Sequence, residues 1–237
     1  MPKPFEKWTV CPHGPIEKIE SNLWRVQAPF PGAPFSRLMI LVRLADGRLV
    51  IHNGIALDES EMKEIEAWGQ PAFLIVPNGG HRMDAKVWRD RYRSLRVFAP
   101  PGAKAKVGEV VKVDDTACDF GDANVRWDVL DGTKEREAVL SVKAGSGATL
   151  VFNDVIMNMK TLPGFGGFMM GLFGFTSPAP KVAFPARMAL VADKKALRAH
   201  LERLATTQGL SRIEVAHGAP VVEQPAEALR AAAAGLG

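Results

Sequence analysis

His217 has the clearest chemical setting in this chain. It follows Arg212-Ile213-Glu214-Val215-Ala216 and precedes Gly218-Ala219-Pro220, so a short apolar strand runs into a His-Gly turn. A strand end presents a side chain from rigid backbone, and neutral imidazole is the commonest protein ligand for a transition metal. Three other segments share this design. Ala72-Phe73-Leu74-Ile75-Val76 leads to Pro77-Asn78-Gly79-Gly80-His81. Thr149-Leu150-Val151-Phe152 leads to Asn153-Asp154, and Arg48-Leu49-Val50-Ile51 leads to His52-Asn53-Gly54. Four apolar strands that each stop at a metal-capable residue point to one shared sheet edge.

Each candidate also has a plainer reading. His217 could ligate a metal, its ring fixed by a hydrogen-bonded partner, or hold its own turn. Asp154 is costly to bury unpaired, so it either meets a cation or caps loop amides near Asn153 and Asn158. His81 follows two glycines that permit close backbone approach; it is a ligand or an ordinary loop histidine. Asp84 reads as a helix N-cap, and His52 as a satisfied structural histidine or a ligand. Glu135 and Glu137 could serve as ligands or as a general base, but strand alternation places them on a solvent face. His200 lies mid-helix beside Arg198 and Arg203 and reads as solvated. His13 lies in a Pro-rich leader. Cys118 has three acidic neighbours but no nearby histidine, and reads as a loop thiol.

The elements that must position these groups follow from periodicity and turn residues. Residues 1–20 read as an irregular leader. Strands are expected at Leu23–Gln27, Arg37–Arg43 and Arg48–His52, the last two joined at Ala45-Asp46-Gly47. Asp58, with Glu61 three residues on, predicts a capping box on a helix ending at Trp68. The unbroken apolar run Ala72–Val76 implies a strand covered on both faces. A helix over Asp84–Tyr92 and a strand at Arg96–Ala99 follow. Further strands are expected at Val107–Val113, Val125–Leu130, Ala138–Lys143, Thr149–Phe152 and Arg212–Ala216. Helices are expected from Asp193 to Leu204 and from Ala226 onward. Residues 161–186 are rich in Gly, Phe, Met and Pro, and nearly without charge. Their Leu162–Phe175 part reads as a lid, a membrane-touching loop, a homodimer interface or a self-packed loop. Two β-then-α halves predict an α/β protein with two sheets face to face and helices outside.

Composition sets the outer bounds. The 237 residues are 47% apolar and 24% charged, with net charge +4, which is ordinary globular composition. No Lys/Arg-rich tract appears, so nucleic acid is not an expected partner. Two cysteines, Cys11 and Cys118, form no CxxC, and no apolar signal segment is visible; a reduced, cytoplasmic setting is expected. No run approaches the roughly 20 apolar residues needed to span a bilayer.

Taken in order, His52-Asn53, Pro77-Asn78-Gly79-Gly80-His81, Asp154 and His217-Gly218-Ala219-Pro220 resemble the metallo-β-lactamase superfamily, and most closely an uncharacterised branch of it. The resemblance spans Leu23 to Leu229 and implies an αββα four-layer sandwich, with residues 21–237 as one domain and a site at one edge. It also shows departures. Asn78, Gly80, Arg82 and Met83 stand where the superfamily carries HxHxDH; only His81 and Asp84 are available if the loop is shifted. Gly132-Thr133-Lys134-Glu135-Arg136-Glu137 replaces a Gly-His-x-x-Gly turn, and His52 replaces the aspartate of an Asp-x-Gly turn. A dinuclear zinc centre with an open water position takes about five or six ligands. The resemblance therefore implies one divalent ion (zinc, iron or manganese) on His81, Asp154, His217 and His52, serving hydrolysis of a small-molecule substrate. A degenerate, metal-free binding or interaction module is the alternative.

Overall fold

A computed structural model of the chain describes residues 3–33, 35–145, 147–160, 163–177 and 179–237. The chain divides into two compact units, Met1–Trp127 and Asp128–Gly237.

The first unit holds a six-stranded sheet in sequence order: β1 (Glu17–Glu20), β2 (Leu23–Pro29), β3 (Ser36–Arg43), β4 (Arg48–His52), β5 (Gln70–Ile75) and β6 (Arg96–Phe98). β1 occupies the end of the stretch expected to be irregular. The first four strands are antiparallel neighbours. The β3–β4 hairpin turns at Gly47, whose φ of 85° suits glycine. β5 and β6 are added parallel, which requires crossovers; α1 (Glu59–Trp68) and α2 (Ala85–Arg91) supply them. Met62 and Ile65 of α1 are buried, and Trp68 stacks on Trp24 with ring centroids 3.8 Å apart. Leu49, Ile51, Leu74, Trp88 and Val97 fill the same core. No strand forms at Val107–Val113: α3 (Lys104–Gly108) covers its first two residues and the rest is irregular. Val107 and Val111, one helical turn apart, are both buried, so the run satisfied a helical spacing as well as an alternating one.

Two expected caps differ. Asp58 and Asp84 occupy N-cap positions, but neither side chain makes a cap bond. At Asp84 distant partners outcompete the local amides. Asp84 pairs with buried Arg37 and accepts the Ala56 N–H at 3.1 Å. Burial raises the Asp84 pKa, with Arg37 opposing.

The second unit is built on a four-stranded sheet of order β10-β9-β8-β7. Its strands are β7 (Val125–Val129), β8 (Ala138–Ala144), β9 (Gly147–Phe152) and β10 (Leu210–Val215). β8 and β9 are antiparallel, and β9 and β10 parallel. Between β9 and β10 run α4 (Gly164–Leu172), α5 (Phe184–Leu190) and α6 (Lys194–Leu204); α7 (Pro225–Ala234) follows β10. The Gly/Phe/Met-rich stretch is thus partly helical. Asp193 caps α6 as expected, accepting from the Lys195 and Ala196 amides. Phe152, Leu197, Leu201, Ile213 and Leu229 form this unit's core.

Candidate functional site

The four strand ends lie in two sheets, not on one shared edge. β4 and β5 are parallel neighbours in the first unit, with His52 in register with Ile75. β9 and β10 are parallel neighbours in the second, with Val215 in register with Phe152. Parallel pairing brings two C-terminal strand ends side by side, so each sheet presents its own pair of polar residues at one rim.

In the second unit that pair is Asp154 and His217. His217 Nε2 lies 3.0 Å from Asp154 Oδ1, with side chains 9% and 22% exposed. The backbone around them is tightly held. Ala216 N–H donates to Phe152 O at 3.2 Å, Asn158 N–H to His217 O at 3.2 Å, and Asn158 Nδ2 to Ala219 O at 2.8 Å. Gly218 has φ 115°, and a Cβ there would collide with the Asn158 carbonyl. No residue with a side chain fits, so the His-Gly pairing is a packing requirement.

The loop after β9 is organised by Glu137. Its Oε1 accepts the backbone N–H groups of Asn153 (3.2 Å), Asp154 (2.7 Å) and Val155 (2.8 Å). Glu137 is fully buried, which overturns its expected solvent-facing place; Glu135 is exposed. The missed signal was the apolar run Ala138-Val139-Leu140 directly after it. An unbroken apolar start means that both faces of β8 are covered, so alternation has no solvent side to offer.

In the first unit, His52 ends β4 and is 1% exposed. Neither ring nitrogen has a hydrogen-bond partner among the described residues. Burial, with His81 adding a lesser unfavourable charge effect, lowers its pKa to about 3. Asn53, with φ 57°, turns the chain after it, donating its backbone N–H to Ile75 O and its side-chain Nδ2 to Leu38 O. His81 closes the turn after β5: its N–H reaches Asn78 O at 3.3 Å, and the Gly80 N–H reaches Asn78 Oδ1 at 2.7 Å.

His200 is 6% exposed, not solvated. Its Nδ1 accepts the Asp131 N–H at 3.0 Å, and burial lowers its pKa. It is a structural histidine of α6. Cys11 and Cys118 are free thiols, and burial raises the Cys118 pKa to about 12. Such a thiol carries almost no thiolate at neutral pH and is a poor nucleophile.

No protein-family model and no curated protein matches the chain. Solved structures do match its shape. The DIM-1 metallo-beta-lactamase aligns with TM-score 0.63 and 13% identity, over 95% of this chain and 99% of that one. A metallo-beta-lactamase from Hirschia baltica gives 0.60 and 12%, over 94% and 98%. One from Erythrobacter litoralis, with beta mercaptoethanol in its active site, gives 0.60 and 13%, over 93% and 96%. The chain therefore has the metallo-β-lactamase fold, as its sequence resemblance implied. Among the described residues, no helix is long and apolar enough to cross a membrane.

Proposed function

We propose that this protein is a metal-dependent hydrolase-like protein with an atypical, mononuclear site on His81, Asp154 and His217, joined by His52. The pairing of Asp154 with His217 at 3.0 Å on adjacent parallel strand ends carries the reading. The donor set suits the ion: imidazole and carboxylate together favour zinc, iron or manganese. His52 adds support, because a buried imidazole without a hydrogen-bond partner is costly unless something else satisfies it. When bound, such an ion polarises an ester, amide or phosphoester oxygen and lowers the pKa of water. The chain's own residues have separate tasks. Glu137 fixes the backbone that presents Asp154, Gly218 sets the turn that presents His217, and burial keeps His52 neutral with a lone pair to offer. A small-molecule substrate, residues 21–237 acting as one domain, and a cytoplasmic location belong to this proposal; the two free cysteines support the last.

One observation favours a second reading. The His217–Asp154 contact pairs one ring nitrogen with one carboxylate oxygen at 3.0 Å without an ion between them. Under that reading the site is a metal-free small-molecule binder. Metal analysis separates the two: His217→Ala should hold about one equivalent of zinc, iron or manganese less than wild type, and His200→Ala as much as wild type. A protein that stays metal-free after incubation with excess of all three, or equal loss in both variants, removes the hydrolase reading.

We also propose a homodimer through the Leu162–Phe175 segment, of which Leu162 lies outside the described residues. Phe165, Phe168 and Leu172 share one face of α4 and are largely exposed, as are Phe173, Phe184 and Met188. A contiguous apolar face of this kind marks a contact surface. Light scattering at high concentration should give a dimer that Phe165→Ser/Phe168→Ser dissociates. A clean monomer in the wild type removes the proposal.

A further inference from the structure

The N-terminal strap of the first unit ends in a second cluster of metal-capable groups. Residues 5–14 are tied down at three points: Phe5 N–H to Met83 O (2.8 Å), Trp8 Nε1–H to Leu57 O (2.9 Å) and Gly14 N–H to Gln27 O (2.8 Å). The last tie fixes His13, whose side chain is only 9% exposed. His13 Nδ1 lies 2.8 Å from Gly14 O. A carbonyl only accepts, so Nδ1 carries the proton and, in the neutral ring, Nε2 presents its lone pair. That nitrogen faces Glu61 Oε2 at 3.4 Å. Asp58 completes the group, the ligand atoms of His13, Asp58 and Glu61 all lying within 4.8 Å of one another.

Two features point beyond a simple ion pair. First, a backbone carbonyl holding Nδ1–H while Nε2 points at acceptors is the usual way an imidazole ligand is oriented. A protonated His13 paired with Glu61 would explain one contact but give Asp58 no part. Second, Asp58 and Glu61 have the spacing of a capping box at the start of α1, yet Asp58 makes no cap bond. One nitrogen and two carboxylate oxygens, with an open side towards water, make a donor set for a first-row divalent ion. Donors about 2.0–2.2 Å from tetrahedral zinc stand about 3.3–3.6 Å apart, and the His13–Glu61 separation of 3.4 Å already meets this. Asp58 is exposed, and its ligand atom already lies within 4.8 Å of the other two.

We propose that His13, Asp58 and Glu61 form a second, surface metal site for a divalent ion of the zinc class, which clips the N-terminal strap to α1. It shares no residue with the site proposed above. The test is zinc titration calorimetry on the full chain, with Asp58→Asn and His13→Ala compared to wild type. Wild type should bind one zinc equivalent more than either variant, and His217→Ala should retain that equivalent. Zinc should also slow limited proteolysis within residues 5–16 several-fold in wild type and not in His13→Ala. If His13→Ala proves unfolded by circular dichroism, Glu61→Gln, at a half-buried position, takes its place under the same criteria. Equal zinc stoichiometry in wild type and variants, or strap proteolysis indifferent to zinc, overturns the proposal.

Discussion

Glu137 Oε1 lies 2.7 Å from the backbone nitrogen of Asp154 and also receives the amides on either side of it. A fully buried carboxylate is tolerable here because three N–H donors replace its water shell. The same bonds fix where Asp154 leaves β9. The candidate site therefore depends on a residue outside it, at the start of a different strand.

Removing that carboxylate should be severe. Glu137→Ala leaves three loop amides without their acceptor, and each buried donor so stranded costs about 1–3 kcal/mol. A loss of about 3 kcal/mol or more is expected in urea unfolding. Glu137→Gln, which keeps a carbonyl acceptor but no charge, should lose about half as much. If both variants unfold with wild-type midpoints, the loop does not depend on Glu137.

Gly218 makes a sharper demand. Its φ of 115° and the Asn158 carbonyl beside it leave no room for a methyl group. Gly218→Ala should cost roughly 2 kcal/mol or more and shift the His217 side chain with the turn. The paired measurement is thermal unfolding with the His217 imidazole signals in NMR. Unchanged imidazole shifts in a stably folded variant would separate the turn from the site.

Much of the fold was legible in the sequence because it is encoded locally. The strands ending at His52 and near Val76, Asp154 and His217, the Ala45-Asp46-Gly47 turn and the Asp193 cap all rest on periodicity or turn chemistry within a few residues. What was missed lies in long-range pairing. Asp84 precedes α2 with φ −100° and ψ 0°, not the extended backbone of an N-cap, and its carboxylate pairs with a guanidinium 47 residues earlier. His200 sits among arginines, yet its ring turns inward to an amide 69 residues away. Glu137 was assigned to solvent because alternation says nothing of a strand covered on both faces. Sheet membership was hidden too, since parallel strand ends look alike whichever sheet they join.

His52 predicts a pH dependence. Its folded pKa of about 3 lies below the usual 6.5, so the unfolded chain binds the proton first. Its contribution is fully present above about pH 6.5 and is lost as pH falls towards 3. In that window one proton taken up on unfolding removes up to about 1.4 kcal/mol per pH unit. In chelator-treated protein, His52→Phe should flatten this part of the stability–pH curve. A slope equal to wild type between pH 6 and 4, within the window set by these pKa values, would show that His52 charges without cost.

Arg37 and Asp84 make the last test, since their side chains are 4% and 1% exposed. Two other guanidinium nitrogens of Arg37, Nε and Nη2, have no hydrogen-bond partner among the described residues, so the pair bears a desolvation cost that its single contact only partly offsets. Removing one partner is worse than removing both. Arg37→Met leaves a buried carboxylate whose pKa burial already raises, and should destabilise by about 3–5 kcal/mol at neutral pH. Protonating Asp84 removes the stranded charge, so the deficit of this variant relative to wild type should shrink as pH falls. Arg37→Met/Asp84→Leu should recover most of the loss, because an apolar pair of similar volume avoids the desolvation cost. A double variant as unstable as the sum of the two single ones would mean that the groups act independently, and that Asp84 is held chiefly by the Ala56 amide.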